Sequence, residues 1–151
     1  LASGALPALS EIEFGMIMLN HAFSRWMVRC MAAAGVPDLS PLDILVLHNI
    51  NSRSKPKTLA DIALVLNIED THVVTYALKK LERLKLIKSG RRGKEKLVMV
   101  TEEGADACRR YAAVRETLHS AAAGAFDGPF LTASLLALAA AVPVLLLGGR
   151  R

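Results

Sequence analysis

From Ser10 to Ala34 the chain sets Ile12, Phe14, Met16, Ile17, Leu19, Phe23, Trp26, Met27 and Met31 on nearly every side of a helix. A helix without a broad polar face needs burial on several sides at once. Ser10, with Glu13 three residues on, supplies a capping box for its start, and Gly35 and Pro37 end it. Ser40-Pro41-Leu42-Asp43 opens a second helix to about Asn51, with an N-cap serine, a proline in the first position and an acid in the first turn. Residues 51–57 read as a polar connector. Thr58 and Asp61 begin a short third helix, in which Leu59, Ile62, Ala63 and Leu66 recur at i, i+3, i+4 and i+7. Asn67 to Asp70 forms a tight connection, and Asp70 caps a fourth helix reaching about Lys85.

The fourth helix divides into two faces. Val74, Ala77, Leu78 and Leu81 make an inward stripe, while His72, Thr75, Tyr76, Lys79 and Arg83 recur on another side without a large aliphatic residue among them. After it the period falls to two. Leu86 to Ser89 and Lys94 to Val100 predict two short strands, joined by a turn at Gly90-Arg91-Arg92-Gly93. Thr101-Glu102-Glu103 starts a fifth helix to about Ala123. Gly124 to Pro129 break the chain, and Phe130 to Leu147 form a last apolar segment interrupted by Pro143.

Helix, short helix, tight turn, helix and hairpin is the order of a winged helix-turn-helix. The expected fold is therefore mainly α (α+β), a single domain over 1–151. Its winged helix-turn-helix region spans 40–100, and 10–35 with 101–147 form a helical layer. Charge sharpens this picture. Between Lys79 and Lys96 lie nine lysines and arginines against two acids, so this one segment carries more than the whole +5 net charge of the 151 residues. Such a block marks an anionic partner, double-stranded DNA ahead of membrane headgroups. On this reading His72, Thr75, Tyr76, Lys79 and Arg83 face the major groove, and Arg91, Arg92, Lys94 and Lys96 of the wing (86–100) meet phosphates or the minor groove.

Apolar residues make up 52% of the chain, more than a small domain readily hides, which predicts a homodimer. No nucleophile elbow, phosphate loop, paired-carboxylate site or zinc spacing occurs, so neither an enzyme nor a cofactor or metal is expected. His21 and His48 lie in apolar helices and read as buried, hydrogen-bonded side chains. Trp26 reads as a core aromatic. Cys30 and Cys108 lie in apolar-patterned helices, and a reduced, cytoplasmic setting is the simplest one for them. Cys30 beside Arg29 could serve as a peroxide-sensing thiol only in an accessible, electropositive setting.

Leu59-Ala60-Asp61-Ile62-Ala63 and the run Val73 to Arg83 resemble the MarR family of bacterial winged-helix regulators. So do Leu86-Ile87 and the exit Val98-Met99-Val100-Thr101-Glu102-Glu103-Gly104. The likeness spans 10–119 in element order and is sequence-specific over 40–104. It implies a homodimer joined through the first, fifth and sixth helices, action at near-palindromic operators, and tuning by a small-molecule effector bound between the dimer layer and the DNA-binding region. Four features depart from the family pattern. Lys85 stands where a glycine is usual, the link into the fourth helix is one residue longer, Arg92 replaces a common aspartate, and Lys94 replaces a groove-reaching arginine. The rival reading is a winged-helix interaction module that docks its basic face on an acidic surface. In that reading, 130–147 with Arg150 and Arg151 would be a membrane tail.

Overall fold

Helix α1 (Pro7–Ala33) begins three residues ahead of the expected Ser10 cap, with a proline in its first position. A proline is at home there because the first helical N–H groups have no intrahelical partner to lose. The computed structural model describes residues 7–93, 95–121 and 123. The expected break at 124–129 and the apolar segment 130–147 lie outside the described residues. The chain divides into two units, Leu1–Val114 and Arg115–Arg151. Helical backbone covers 102–121, of which 102–114 (α5) falls in the first unit; 115–121 and 123 of the second are helical.

After α1 come α2 (Pro41–Asn51), a 3₁₀ turn at Ser52–Ser54, α3 (Leu59–Val65) and α4 (Thr71–Arg83). Strands β1 (Ile87–Arg92) and β2 (Glu95–Val100) follow. The start signals act as read. Ser40 with Asp43, and Thr58 with Asp61, close reciprocal capping boxes, and the Asp70 side chain accepts from the His72 N–H at 2.9 Å.

Helices α1, α3 and α4 end in the same way. Each carries a pair of closing bonds, from the left-handed residue to the carbonyl three back and from the next residue to the carbonyl five back. They are Gly35 to Ala32 with Val36 to Met31, Asn67 to Leu64 with Ile68 to Ala63, and Lys85 to Glu82 with Leu86 to Leu81. This is the Schellman arrangement, which satisfies terminal carbonyls and requires a positive φ at its turning residue. The φ values are 87° at Gly35, 53° at Asn67 and 59° at Lys85. The lysine in a glycine's usual place thus holds a glycine's conformation.

The core gathers Met27, Cys30 and Met31 of α1, Ile44, Leu47 and Ile50 of α2, and Ile62 of α3. Val74, Ala77, Leu78 and Leu81 of α4, with Ile87, Val98 and α5's Ala107 and Tyr111, complete it. Every member of the predicted α4 stripe is buried. Trp26 is half-buried against this core, its ring 5.5 Å from that of Phe23. Among the described residues, the first two-thirds of α1 contribute nothing to it: Ile12, Met16, Leu19 and Phe23 are all exposed. His21 shares that exposure, contrary to the buried histidine expected, because its apolar neighbours find no partner among the described residues. His48 is half-buried, its ring 4.7 Å from that of Tyr111. Both cysteines are buried, and burial pushes the Cys108 thiol up to about 11, so the accessible setting a sensing thiol needs is missing from both.

A candidate nucleic-acid interface

The hairpin that follows α4 is longer than its sequence suggested. Ile87 pairs with Val100 and the register runs out to Arg92 opposite Glu95, so Gly90, Arg91 and Arg92 are strand and the turn begins at Gly93. Gly93 takes φ 62°, as the first turn residue of a tight hairpin does. The displacement has a tertiary cause. Val98 is buried and faces Ser89, and its backbone also exchanges hydrogen bonds with Lys57 at 2.8 and 3.0 Å. The supposed polar connector therefore supplies a third strand position to the sheet. The Lys57 ammonium reaches back to the carbonyl of Asn49 near the end of α2, and burial, then Arg53, holds its pKa below the usual lysine value.

The side of α4 expected to meet DNA is open to solvent. His72, Tyr76, Lys79 and Arg83 are exposed and Thr75 is half-buried. Tyr76 is 72% exposed, with the Lys79 ammonium 5.9 Å from its ring centroid. The Thr75 hydroxyl donates back to the Thr71 carbonyl at 2.9 Å.

Of the wing residues, Arg91 and Lys96 are cross-strand partners on the face that carries Ile87 and Val98 nearer the core. Arg92 pairs across the ladder with Glu95 on the opposite face. All four are exposed. Lys94 lies outside the described residues. The Arg92 guanidinium comes within 3.6 Å of the Glu95 carboxylate. It also helps hold Asp61 on α3 below the ordinary aspartate value, behind the larger effect of the Thr58 N–H and hydroxyl. Lys96 reaches Glu82 of α4 at 3.9 Å, tying wing to helix. These are solvent-exposed pairs, each worth under about 1 kcal/mol, so the cations are positioned more than they are sequestered.

Not every cation in the basic block points outward. Lys80 turns inward to the Asp43 carboxylate at 2.8 Å and to the Asp38 carbonyl. Burial alone would raise the pKa of Asp43, but Lys80 and the Ser40 N–H and hydroxyl more than offset it, and the net shift is downward. Lys80 therefore fixes α4 against the start of α2. Glu82 and Glu95 are the converse case, acids that sequence reading passed over. Their only signal was being the two carboxylates within the block.

At the far end of α4, Thr101 makes three bonds at one seam. Its hydroxyl donates to the Lys85 carbonyl at 2.7 Å and accepts from the Gly104 N–H, and its own N–H donates to the Leu86 carbonyl. The start of α5 is thereby pinned to the exit from α4.

Comparison with known proteins agrees with this geometry. Residues 39–104 match the family model of the winged helix DNA-binding domain. A search of the curated proteins finds no match. Among solved structures, the fold is similar to MepR, a transcription regulator of a Staphylococcus aureus multidrug efflux pump. The TM-score is 0.64 at 16% identity, covering 86% of this chain and 97% of that one. A MarR-family transcriptional regulator from Rhodococcus aligns with a TM-score of 0.58 at 18% identity, covering 72% of this chain and 79% of the other. Overoxidized AbfR bound to DNA aligns with a TM-score of 0.61 at 20% identity, covering 87% and 96%. Residues 39–104 thus resemble a winged helix DNA-binding domain, and the chain has the fold of these MarR-type regulators. Among the described residues, no helix is long and apolar enough to cross a membrane.

Proposed function

We propose that this protein is a non-enzymatic, sequence-specific transcriptional regulator that binds double-stranded DNA as a homodimer. The observation that carries the proposal is the division of α4: one side lies entirely in the core, and the other exposes His72, Tyr76, Lys79 and Arg83 beside a hairpin bearing Arg91, Arg92 and Lys96. In this reading α4 enters the major groove, and the wing, Lys94 included, meets phosphates or the minor groove. The single domain pairs with its copy through a helical layer drawn from 10–35 and 101–147, and works in the cytoplasm. The exposed apolar side chains of α1 supply surface that such a layer would bury. A small organic effector has a place to bind in a groove of about 380 Å³, lined by His21, Ser24, Arg25 and Arg29 over Val28 and Pro41.

The test is binding to fluorescent 30-base-pair duplexes across a salt series, with light scattering on the same sample. The expected results are a dimer and a log–log salt slope of about −4 or steeper, one condensed counterion being released per phosphate neutralised. Salt-independent binding, or none, would refute the DNA reading and favour an acidic protein surface as partner of the basic face.

A further inference from the structure

We infer that Tyr76 is a specificity-determining residue that reads thymine through its 5-methyl group; the inference rests on the DNA-binding reading of α4 above. At about 100° per residue, His72, Tyr76, Lys79 and Arg83 cluster around the direction opposite the buried stripe, with Thr75 to one side. A side chain there reaches deepest into a groove occupied by α4. What Tyr76 presents is a flat apolar ring, 72% exposed. The ring does not hang free: Lys79, one turn on, sits 5.9 Å from its centroid, near enough for a cation–π attraction that limits where the ring swings. Next to it, Thr75 has its one hydroxyl donor committed to the Thr71 carbonyl. Apart from the Tyr76 hydroxyl, the middle of the reading face is thus poor in free donors and rich in carbon, while cations lie toward its C-terminal end.

Only one base displays a methyl group to the major groove. Thymine carries a 5-methyl group, whereas guanine, adenine and cytosine are distinguished there by their acceptors and amino groups. An aromatic ring held against that methyl removes apolar area from water and rejects cytosine, whose edge adds an amino donor and lacks the methyl.

The test uses the full chain and a duplex enriched by it from a random-sequence pool. Each thymine of the enriched half-site is replaced in turn by deoxyuridine, which deletes the methyl and leaves pairing and the carbonyl oxygens intact. One or two positions should weaken binding about fourfold each, the value of one buried carbon at about 0.8 kcal/mol. Tyr76→Phe should keep that sensitivity, and Tyr76→Ala should bind the thymine and uracil duplexes alike. The inference is overturned if no uracil substitution matters to the parent. It is also overturned if Tyr76→Ala retains the sensitivity, or if Tyr76→Phe loses it, since the hydroxyl would then be the reading atom. A parent that enriches no duplex at all refutes the DNA-binding reading itself, an outcome distinct from these.

Discussion

Gly104 is a position where the addition of one carbon tests the seam between α4 and α5. A Cβ built there would lie inside contact distance of the Leu86 carbonyl oxygen, 2.9 Å from its carbon and 3.0 Å from Val100 Cγ2. Two of these atoms are backbone, so no rotamer change relieves the overlap. The start of α5 must move, and the bonds from Thr101 N–H to Leu86 and from Gly104 N–H to Thr101 Oγ1 stretch with it. Overpacking costs about 1–3 kcal/mol, and weakening two hydrogen bonds adds about 1–2. Alanine's better helix propensity returns up to about 1 kcal/mol. Gly104→Ala should therefore destabilise by about 2–4 kcal/mol. With a urea dependence of about 2 kcal/mol/M, the unfolding midpoint should fall by about 1–2 M. An unchanged or higher midpoint would mean that α5 does not approach Leu86 this closely, and the account of the seam would be wrong.

Three further outcomes follow from other ties. Lys85→Gly should raise stability by about 1 kcal/mol, because the residue turns at φ 59° and glycine removes the Cβ penalty without touching the carbonyl that Thr101 bonds; a lower thermal midpoint would refute it. Asp43 has a depressed pKa in the fold, so its contribution is present above its unfolded pKa near 4 and is lost as pH falls through the lower folded value. Asp43→Asn should flatten the acid limb of a stability–pH curve below about pH 4, and an unaltered limb would remove Asp43 from it. Glu82→Gln frees Lys96 and deletes a carboxylate from the basic face, so it should tighten binding to scrambled duplex and steepen the salt slope by about one unit; unchanged salt dependence would show that Lys96 does not engage DNA.

Much of this was legible because it is local. The capping boxes at Ser40 and Thr58, the Asp70 cap and the buried stripe of α4 each depend on residues a few positions apart. What escaped was set at a distance. The hairpin turn could not be fixed from Gly90 and Gly93 alone, since its register follows from Val98 being buried between Ser89 and Lys57. Lys57 itself enters the sheet through a pairing 41 positions away, which no alternation in a polar connector announces. Lys80 counts with the basic block in sequence, and its direction is decided by Asp43, 37 residues earlier. His21 failed for the opposite reason: an apolar neighbourhood in sequence predicts burial only where a partner surface completes it, and none does among the described residues.

The ties on α4 share a location. Lys80 to Asp43, Glu82 to Lys96 and the Thr101 bond to the Lys85 carbonyl all attach to or just beyond its last turn, on three different neighbours. His72, Thr75 and Tyr76 occupy the opposite end, which is buried through Val74 and Ala77 but among the described residues carries no ion pair to another element. The helix is thus anchored at its C-terminal end, and in the proposed function His72, Thr75 and Tyr76 meet bases from its N-terminal half. Substitutions at the two ends should then leave different signatures. Loosening the aim, as in Lys80→Met, misplaces the whole reading face and should weaken binding to every duplex that the parent binds by a similar factor. Altering Tyr76 leaves the aim intact and should change the order in which sequences are preferred. A Lys80→Met protein that folds, binds as tightly as the parent on average and prefers different sequences would contradict this division, and would place part of the reading chemistry at the anchored end.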